Sequence, residues 1–584
     1  MTKWGCDLKG FKFKERWSNN AKSYDDLLIL AVLGTVCGLF SGLLMAFFYA
    51  VIYVPVRYIM ASDFDAFESL PVEWRVGLSV FSCAVLAIVF LLLPSRLHKV
   101  GVPYVVERLN YHHGNLPIGN AVVQFFSAAI GLAGGLSIGK EGPAVHIGAT
   151  LGSYLAEKAK LPQYGVETLL ACGVAGAISA IFQTPLAGVL FAFEVIFFEY
   201  RQRYVLPVLL SSVIATLVSH NIIGPLHIFS IDAITSLSLS LDLFFACFVL
   251  VVFIVFLSAV FLQTQKNLWR LSSLPVWLRF ALVALATSLA AVYLPEALGS
   301  GYLSLSRLLT GELVVYSLLL LIFVKTVLTA LTIGLGIPGG MIGPTFIIGG
   351  LTGGYVALMF DSTVIDIAWF ALIGMAAMMA ACFQAPLTAL VAIIEMTHSS
   401  QVIVPALFVI VLACLFMRVF FHQESVFVER LRFMGVSSNI SAFQRYLRHH
   451  TIKPVAEEVA LLPMIVPIER VKDLASSMVD YVVFKNEDEW RLVRRIAVLD
   501  VVQTLDMGPQ KWLVVSNDKV SMSLDKALIS SDITVIEEPS SLETVLSWFQ
   551  KTGQSDVLVS LPGSSFCLVS RHRLDQFLLE NDEE

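Results

Sequence analysis

Uncharged apolar stretches recur along most of this chain, at residues 27–56, 76–95, 168–193, 243–265, 326–360 and 367–394. About 20 such residues span the hydrocarbon core of a bilayer, so each run predicts a membrane-crossing segment. Shorter runs between them are interrupted by glycine and proline, as at residues 131–148, with Gly134-Gly135 and Gly142-Pro143, and at residues 334–354. Such sequence disfavours a continuous helix, and irregular backbone at membrane depth persists only where protein or a polar cavity surrounds it. Only 14% of residues are charged and mean hydropathy is +0.78. Soluble domains carry about 25% charged residues, so a soluble enzyme, a disordered chain and a fibrous one are excluded. Forty phenylalanines and 38 glycines suit helices packed closely in lipid. The net charge of −6 gives no basic footprint for nucleic acid.

The deficit of charge is uneven. Residues 27–421 hold 33 of the 84 charged side chains, whereas the other 189 positions hold 51. This divides the chain into a segment at residues 1–26, a transmembrane domain at 27–433 and a soluble domain at 434–584. The first segment carries Lys3, Lys9, Lys12, Lys14, Arg16 and Lys22 and lacks a cleavable signal, so it is expected to face the cytoplasm. The last domain alternates short strand patterns (481–484, 512–515, 533–536, 556–559) with amphipathic helical ones (542–549, 572–579), which predicts a small α/β domain. The eight cysteines show no CxxC spacing and read as packing residues, and His112-His113 and His449-His450 lack metal-ligand companions.

The apolar region repeats itself. A shift of 201 residues carries Gly139, Gly142 and Pro143 onto Gly340, Gly343 and Pro344. It also carries Phe182-Gln183 onto Phe383-Gln384, Pro185-Leu186 onto Pro386-Leu387, and Glu194 onto Glu395. Two homologous halves, about 27–232 and 233–433, account for this. Duplicated halves broken at matching positions point to a transport site at their interface.

Gly139-Lys140-Glu141-Gly142-Pro143 places two ionisable groups inside apolar sequence, where they cost several kcal/mol and are functional by default. Gly142-Pro143 opens a new helix, and a helix N-terminus attracts anions through its unpaired N–H groups and dipole. Gly340-Met341-Ile342-Gly343-Pro344 supplies a second terminus. The plainer alternative is that Glu141 satisfies its own helix end while Lys140 pairs with a neighbour. His146 reads either as a pore-side proton group or as a packing histidine with a backbone partner. Glu194 and Glu395 read either as lining an approach to the pore or as helix-end carboxylates, and Lys325 reads as a snorkelling side chain.

Taken in order, these motifs resemble the CLC family of chloride channels and chloride/proton antiporters, over residues from about Tyr24 to Gly435. Gly139 to Pro143 matches the family's GK/REGP motif, Gly340 to Pro344 resembles its GxFxP motif, and Val100-Gly101-Val102-Pro103 stands where GSGIP belongs. The resemblance implies an all-α polytopic membrane protein with two inverted repeats and broken helices, assembled as a homodimer with a pore in each subunit. It implies that Glu141 is the gating glutamate. It implies an anion site built from Val100, Gly101, Val102, Pro103, Gly139, Lys140, Gly142, Pro143, Met341, Ile342, Gly343, Pro344 and Phe427. No catalytic residue, metal or cofactor is expected, and the bound substrate is chloride by default, with nitrate, bicarbonate and fluoride as alternatives. Location in the plasma membrane with both termini cytoplasmic is the corresponding expectation.

Departures from the pattern sharpen this. Val100 stands where the family has a serine, Phe427 where it has a tyrosine, and Ile342 where it has a phenylalanine. Two hydroxyl donors are thus replaced by apolar groups. A dehydrated anion without donors is penalised by several kcal/mol, so a weak central site is expected. Val195 occupies the place of the second glutamate that passes protons in many antiporters, so channel-like or weakly proton-coupled movement is favoured over strict antiport. The soluble domain resembles a pair of CBS halves, at 541–578 and more faintly at 471–505. Its ribose-contact spacing is degenerate, because Ser570 and Asp575 lie five apart, so a nucleotide-free module is expected. A membrane-embedded enzyme is the rival class, and no HExxH or paired-aspartate signature supports it.

Overall fold

A computed structural model describes residues 22–581 except 61–65, 201, 225–240, 311–314, 361–363, 398, 400, 437–446, 448–451, 476–478, 487–488, 505–512, 517–518, 529, 538–540 and 562–564. The basic segment before residue 22, the junction of the two repeats near 232 and the pair His449-His450 therefore lie outside the described residues. The chain forms two compact units, one reaching residue 439 and one running from residue 440.

Every regular element among the described residues of the first unit is a helix. Its first half contains α1 (Lys22–Met60), α2 (Val72–Leu92), α3 (Val102–Tyr111), α4 (Ile118–Ala133), α5 (Glu141–Lys158), α6 (Gln163–Phe182), α7 (Pro185–Phe191) and α8 (Gln202–Ile223). The second contains α9 (Leu241–Trp269), α10 (Val276–Tyr293), α11 (Tyr302–Leu309), α12 (Val315–Gly334), α13 (Ile342–Met359), α14 (Val364–Phe383), α15 (Pro386–Thr397) and α16 (Ile403–Val419), after which α17 (Val426–Phe433) follows. Eight of these helices are long and apolar enough to cross a membrane. Many of their large apolar side chains point outward, among them Phe81, Leu92, Phe245, Leu285 and Phe420. Exposure of that extent suits lipid and not water.

The helices break where glycine and proline are dense. The chain leaves helix between α4 and α5 and again between α12 and α13. Runs 168–193 and 367–394, which read as continuous in sequence, are each two helices. They part at Gln183 and Gln384, both left-handed with φ of 57° and 55°. A 201-residue shift therefore superposes a non-glycine residue in a rarely adopted conformation on its twin. The same shift relates two close packings. A Cβ on Gly148 of α5 would lie 2.2 Å from the Gly173 carbonyl oxygen of α6, and one on Gly349 of α13 would lie 2.2 Å from that of Gly374 in α14. Only glycine lets those backbones approach so closely.

The second unit is built on a seven-stranded sheet of order β7-β4-β3-β1-β10-β9-β8 and a three-stranded sheet β2-β6-β5. Here β1 is Ala456–Leu462, β2 Ile465–Pro467, β3 Tyr481–Asn486, β4 Glu489–Arg494, β5 Leu513–Ser516, β6 Lys519–Ser523, β7 Ser531–Ile533, β8 Val535–Glu537, β9 Asp556–Leu561 and β10 Ser565–Ser570. The pattern expected at 533–536 is two strands, β7 and β8, that lie at opposite edges of the sheet. Helices α18 (Ile468–Ala475), α19 (Arg495–Thr504), α20 (Leu524–Ala527), α21 (Leu542–Thr552) and α22 (Arg571–Asn581) accompany the strands. The order helix, antiparallel strand pair, helix occurs twice, as α18-β3-β4-α19 and α21-β9-β10-α22. Strand β1 joins them, parallel to β3 and antiparallel to β10. This sheet-containing domain is consistent with a CBS-like one. Val545, Phe549, Val557, Val559, Cys567 and Leu574 form the core beneath the second hairpin. Ser570 Oγ accepts the Arg573 N–H at 3.3 Å, and Asp575 pairs with Arg571 at 3.8 Å.

Candidate functional site

The site lies where the two helix breaks meet. Gly139 donates to the Gly340 carbonyl at 2.6 Å and Gly340 donates back to the Gly139 carbonyl at 2.7 Å, an isolated antiparallel bridge between the halves. The bridge holds the N-termini of α5 and α13 together. Their contact leaves no room for side chains, since a Cβ on Gly142 would meet the Gly340 Cα at 2.8 Å. One on Gly139 would meet the Pro344 Cδ at 2.9 Å.

Glu141 is fully buried in this contact. Its Oε2 accepts the Gly343 N–H at 2.9 Å, so the carboxylate of the first half caps the helix of the second. The space it fills is kept open by Gly343, where an added Cβ would lie 2.7 Å from Oε1. Oε1 itself has no hydrogen-bond partner among the described residues. The alternative that Glu141 closes only its own helix end is therefore replaced by a contact across the duplication. A carboxylate on a helix N-terminus stands where an inorganic anion would bind.

Lys140 points elsewhere. Its ammonium lies 5.1, 5.2 and 5.6 Å from the ring centroids of Tyr49, Tyr53 and Tyr302, which come from α1 and α11. Cation–π attraction stabilises a charge held away from water in this way. The three tyrosines belong to stretches remote in sequence and carried no recognisable signal.

The segment 100–103 reaches the site through α3, which packs against α5 and α17. The Gly101 N–H donates to His146 Nδ1 at 3.4 Å, and the buried imidazole stands edge-on to Tyr104 at 5.5 Å. Of the two readings of His146, the structure selects the packing histidine with a backbone partner. Val100 and Pro103 are half-buried and Val102 is buried. Phe427, second residue of α17, is buried and stacks on Phe383 at 5.2 Å with 13° between the planes. Ser425 caps that helix, its Oγ accepting the Phe427 N–H at 3.4 Å. Met341 precedes α13 as its N-cap, with Ile342 buried beside it.

A second pair of contacts crosses the halves. Glu194 accepts the Leu387 and Thr388 N–H groups at 3.2 and 2.7 Å and the Thr388 hydroxyl at 2.6 Å. Glu395 accepts the Leu186 and Ala187 N–H groups, both at 2.9 Å. Glu194, in the π-helical turn Ala192–Phe197 that follows α7, thus closes the first turn of α15, and Glu395 of α15 closes the first turn of α7. Their equivalent positions under the 201-residue shift were the available signal. Lys325 does not snorkel: it is wholly buried and donates to the Ala297 and Gly299 carbonyls, each at 3.1 Å.

Apolar spanning helices, two halves joined head to head and a carboxylate buried at their joint define a multi-pass membrane protein of duplicated, broken-helix architecture. The family described as voltage gated chloride channel matches residues 78–418, more than half of the chain, and the chain belongs to that family. It is 28% identical over 335 residues to a ClcB-like protein of Ralstonia nicotianae, covering 54% of this chain and 75% of that one. It is 30% identical over 302 residues to the H(+)/Cl(−) exchange transporter ClcA of Klebsiella pneumoniae, covering 48% of this chain and 62% of that one. The fold is similar to that of a slow cyanobacterial Cl−/H+ antiporter, with TM-score 0.61 and 20% identity over 69% of this chain and 97% of that one. It also matches a eukaryotic CLC transporter, with TM-score 0.57 and 21% identity over 94% and 98% of the two chains.

Proposed function

We propose that this protein moves small inorganic anions, chloride by default, across a membrane, with Glu141 as the gate. The observation that carries the reading is the Glu141 carboxylate seated on the Gly343 N–H, at a helix N-terminus contributed by the opposite half. An anion and the carboxylate compete for one place. Protonation removes the charge that holds the side chain there, so acid favours its release and the anion's access. Relatives named as chloride exchangers and as ClcB-like support the substrate class.

Channel-like or weakly proton-coupled movement is the form we favour. Val195 is buried and carries no proton, and the carboxylate beside it, Glu194, is engaged by three donors. Ile342, Phe346, Phe182, Phe191, Met379 and Met396 line a small apolar cavity that reaches from the start of α13 to Thr388. A homodimer in the plasma membrane with cytoplasmic termini, a nucleotide-free soluble domain, no cofactor and no enzymatic activity complete the reading. The deciding experiment is flux from liposomes with the full chain. Chloride-dependent anion release that loses its pH dependence in Glu141→Ala is expected. Chloride-driven proton uptake at a fixed ratio would replace the channel-like reading by antiport, and no flux at any pH or voltage would overturn transport.

A further inference from the structure

Helices α9 and α10 leave the apolar layer together, joined by the short turn Arg270–Ser273. Trp277, second residue of α10, is exposed, and so are Leu271 and Leu285. Tryptophan collects at the headgroup level of a bilayer, so this turn marks a boundary of the membrane. Two half-buried arginines meet beside it. Arg279 of α10 donates Nη1 to the Leu335 carbonyl at 3.0 Å, at the end of α12. Arg430 of α17 lies over Trp269, the last residue of α9. Its guanidinium carbon stands 5.1 Å from that ring centroid and 5.6 Å from the one of Phe433. The ends of α12 and α9 abut, since a Cβ on Gly334 would meet the Leu268 Cβ at 3.0 Å. Both side chains therefore converge on one place, and the charge that acts on Arg430 is that of Arg279.

Neither arginine is matched by a carboxylate among the described residues. Glu429, beside Arg430 in the chain, faces Lys266 at 3.2 Å and Arg432 at 3.5 Å, and Glu424 is taken by Arg432 at 2.6 Å. Arg430 Nη1 and Arg279 Nε are buried and have no hydrogen-bond partner among the described residues. A carbonyl and two aromatic faces attract these cations, but none of them carries a negative charge. Two like charges drawn out of water side by side are costly unless an anion joins them. Guanidinium forks fit the oxygens of phosphate, and basic pockets between membrane helices receive lipid headgroups.

We propose that Arg279 and Arg430 together hold one phosphate group at headgroup depth. The site shares no residue with the candidate anion site and stands or falls apart from the transport reading. Arg430 follows Phe427 by one turn of α17, so an occupied site steadies the helix that supplies half of the Phe383–Phe427 ring pair.

The test uses the full chain, stripped of lipid in a neutral detergent and kept at constant salt. Short-chain phosphatidylglycerol and inorganic phosphate are titrated separately while the thermal unfolding midpoint is followed. The midpoint should rise with the ligand that fits. A rise with phosphatidylglycerol alone assigns a lipid headgroup, and an equal rise with inorganic phosphate assigns the free ion. The double variant Arg279→Gln with Arg430→Gln should need at least about tenfold more ligand for the same rise, and lysine at both positions should recover part of it. An equal rise in the double glutamine variant overturns the site, as does no rise with either ligand in the unaltered protein. Phenylglyoxal labelling of the unaltered protein, read by mass spectrometry, covers the case of a variant that does not fold. Saturating phosphatidylglycerol or phosphate should slow labelling of Arg279 and Arg430 but not of the exposed Arg432. Equal labelling of Arg279 and Arg430 with and without both ligands overturns the site.

Discussion

The two helix breaks share a backbone and differ in chemistry. Gly139 to Pro143 and Gly340 to Pro344 face each other through reciprocal hydrogen bonds, with glycine at both ends and proline in the first turn of both helices. Between the glycines the first break carries Lys140 and Glu141, and the second carries Met341 and Ile342. The scaffold was kept twice while the ionisable groups stand in one copy only. Symmetry thus supplies two helix N-termini, and asymmetry supplies one buried carboxylate. The charged break donates a carboxylate, and the uncharged break offers the N–H that receives it.

This contrast can be broken most completely at its charged side. Glu141→Gln should remove the pH dependence of flux altogether, because no titrating group then competes for the Gly343 N–H. A residual steep acid activation would move the gate to another residue. The shared scaffold should respond equally in both halves. Gly148→Ala and Gly349→Ala each press a methyl group into a carbonyl oxygen 2.2 Å away. Each should cost about 3 kcal/mol in thermal unfolding of the detergent-solubilised protein, as overpacking does. A large effect in one half alone would mean that the halves carry unequal loads.

The carboxylate clamps come next. Glu194→Gln and Glu395→Gln replace charge-assisted hydrogen bonds, worth about 1.5–3 kcal/mol each, by neutral ones. Glu194→Gln should be the more damaging, since it also weakens the bond from the Thr388 hydroxyl. Equal unfolding midpoints for the two would rule out that contribution. The smallest effect is expected at the ring pair. Phe427→Tyr offers a hydroxyl to the site, and one hydrogen bond of about 1 kcal/mol should tighten halide binding several-fold by calorimetry. Sub-millimolar binding in a Glu141→Gln protein that keeps Phe427 would contradict the weak site expected from losing both hydroxyls.

Much of this was legible in the sequence because its signals are local. A lone glutamate among apolar residues, a Gly-Pro pair and an exact 201-residue register need no knowledge of packing. Strands β3, β5 and β9 and helices α21 and α22 of the C-terminal unit announced themselves by alternation and amphipathic spacing, whereas the hairpin partners β4 and β6 did not. The helix stops at Gln183 and Gln384 did not, since glutamine lacks the permissive backbone that marks glycine as a stop. The clamps of Glu194 and Glu395 require α7 and α15 to lie side by side in opposite directions, which no single stretch encodes. Lys325 misled for the same reason. The carbonyls that hold it belong to Ala297 and Gly299, more than twenty residues away, and a long cation next to an apolar run otherwise reads as reaching for the interface.

The clamps also bear on how the protein is made. A ribosome completes α7 and the turn after it that carries Glu194 long before Pro386–Thr397 exists, and the start of α7 waits equally for Glu395. During that interval the first half holds a carboxylate and a set of helix-end donors whose partners have not been synthesised. It is an unfinished surface on a chain still being inserted, and the insertion machinery must shelter it until the second half arrives. A chain truncated before residue 386 should therefore be cleared by quality control, and not persist as a folded but silent half.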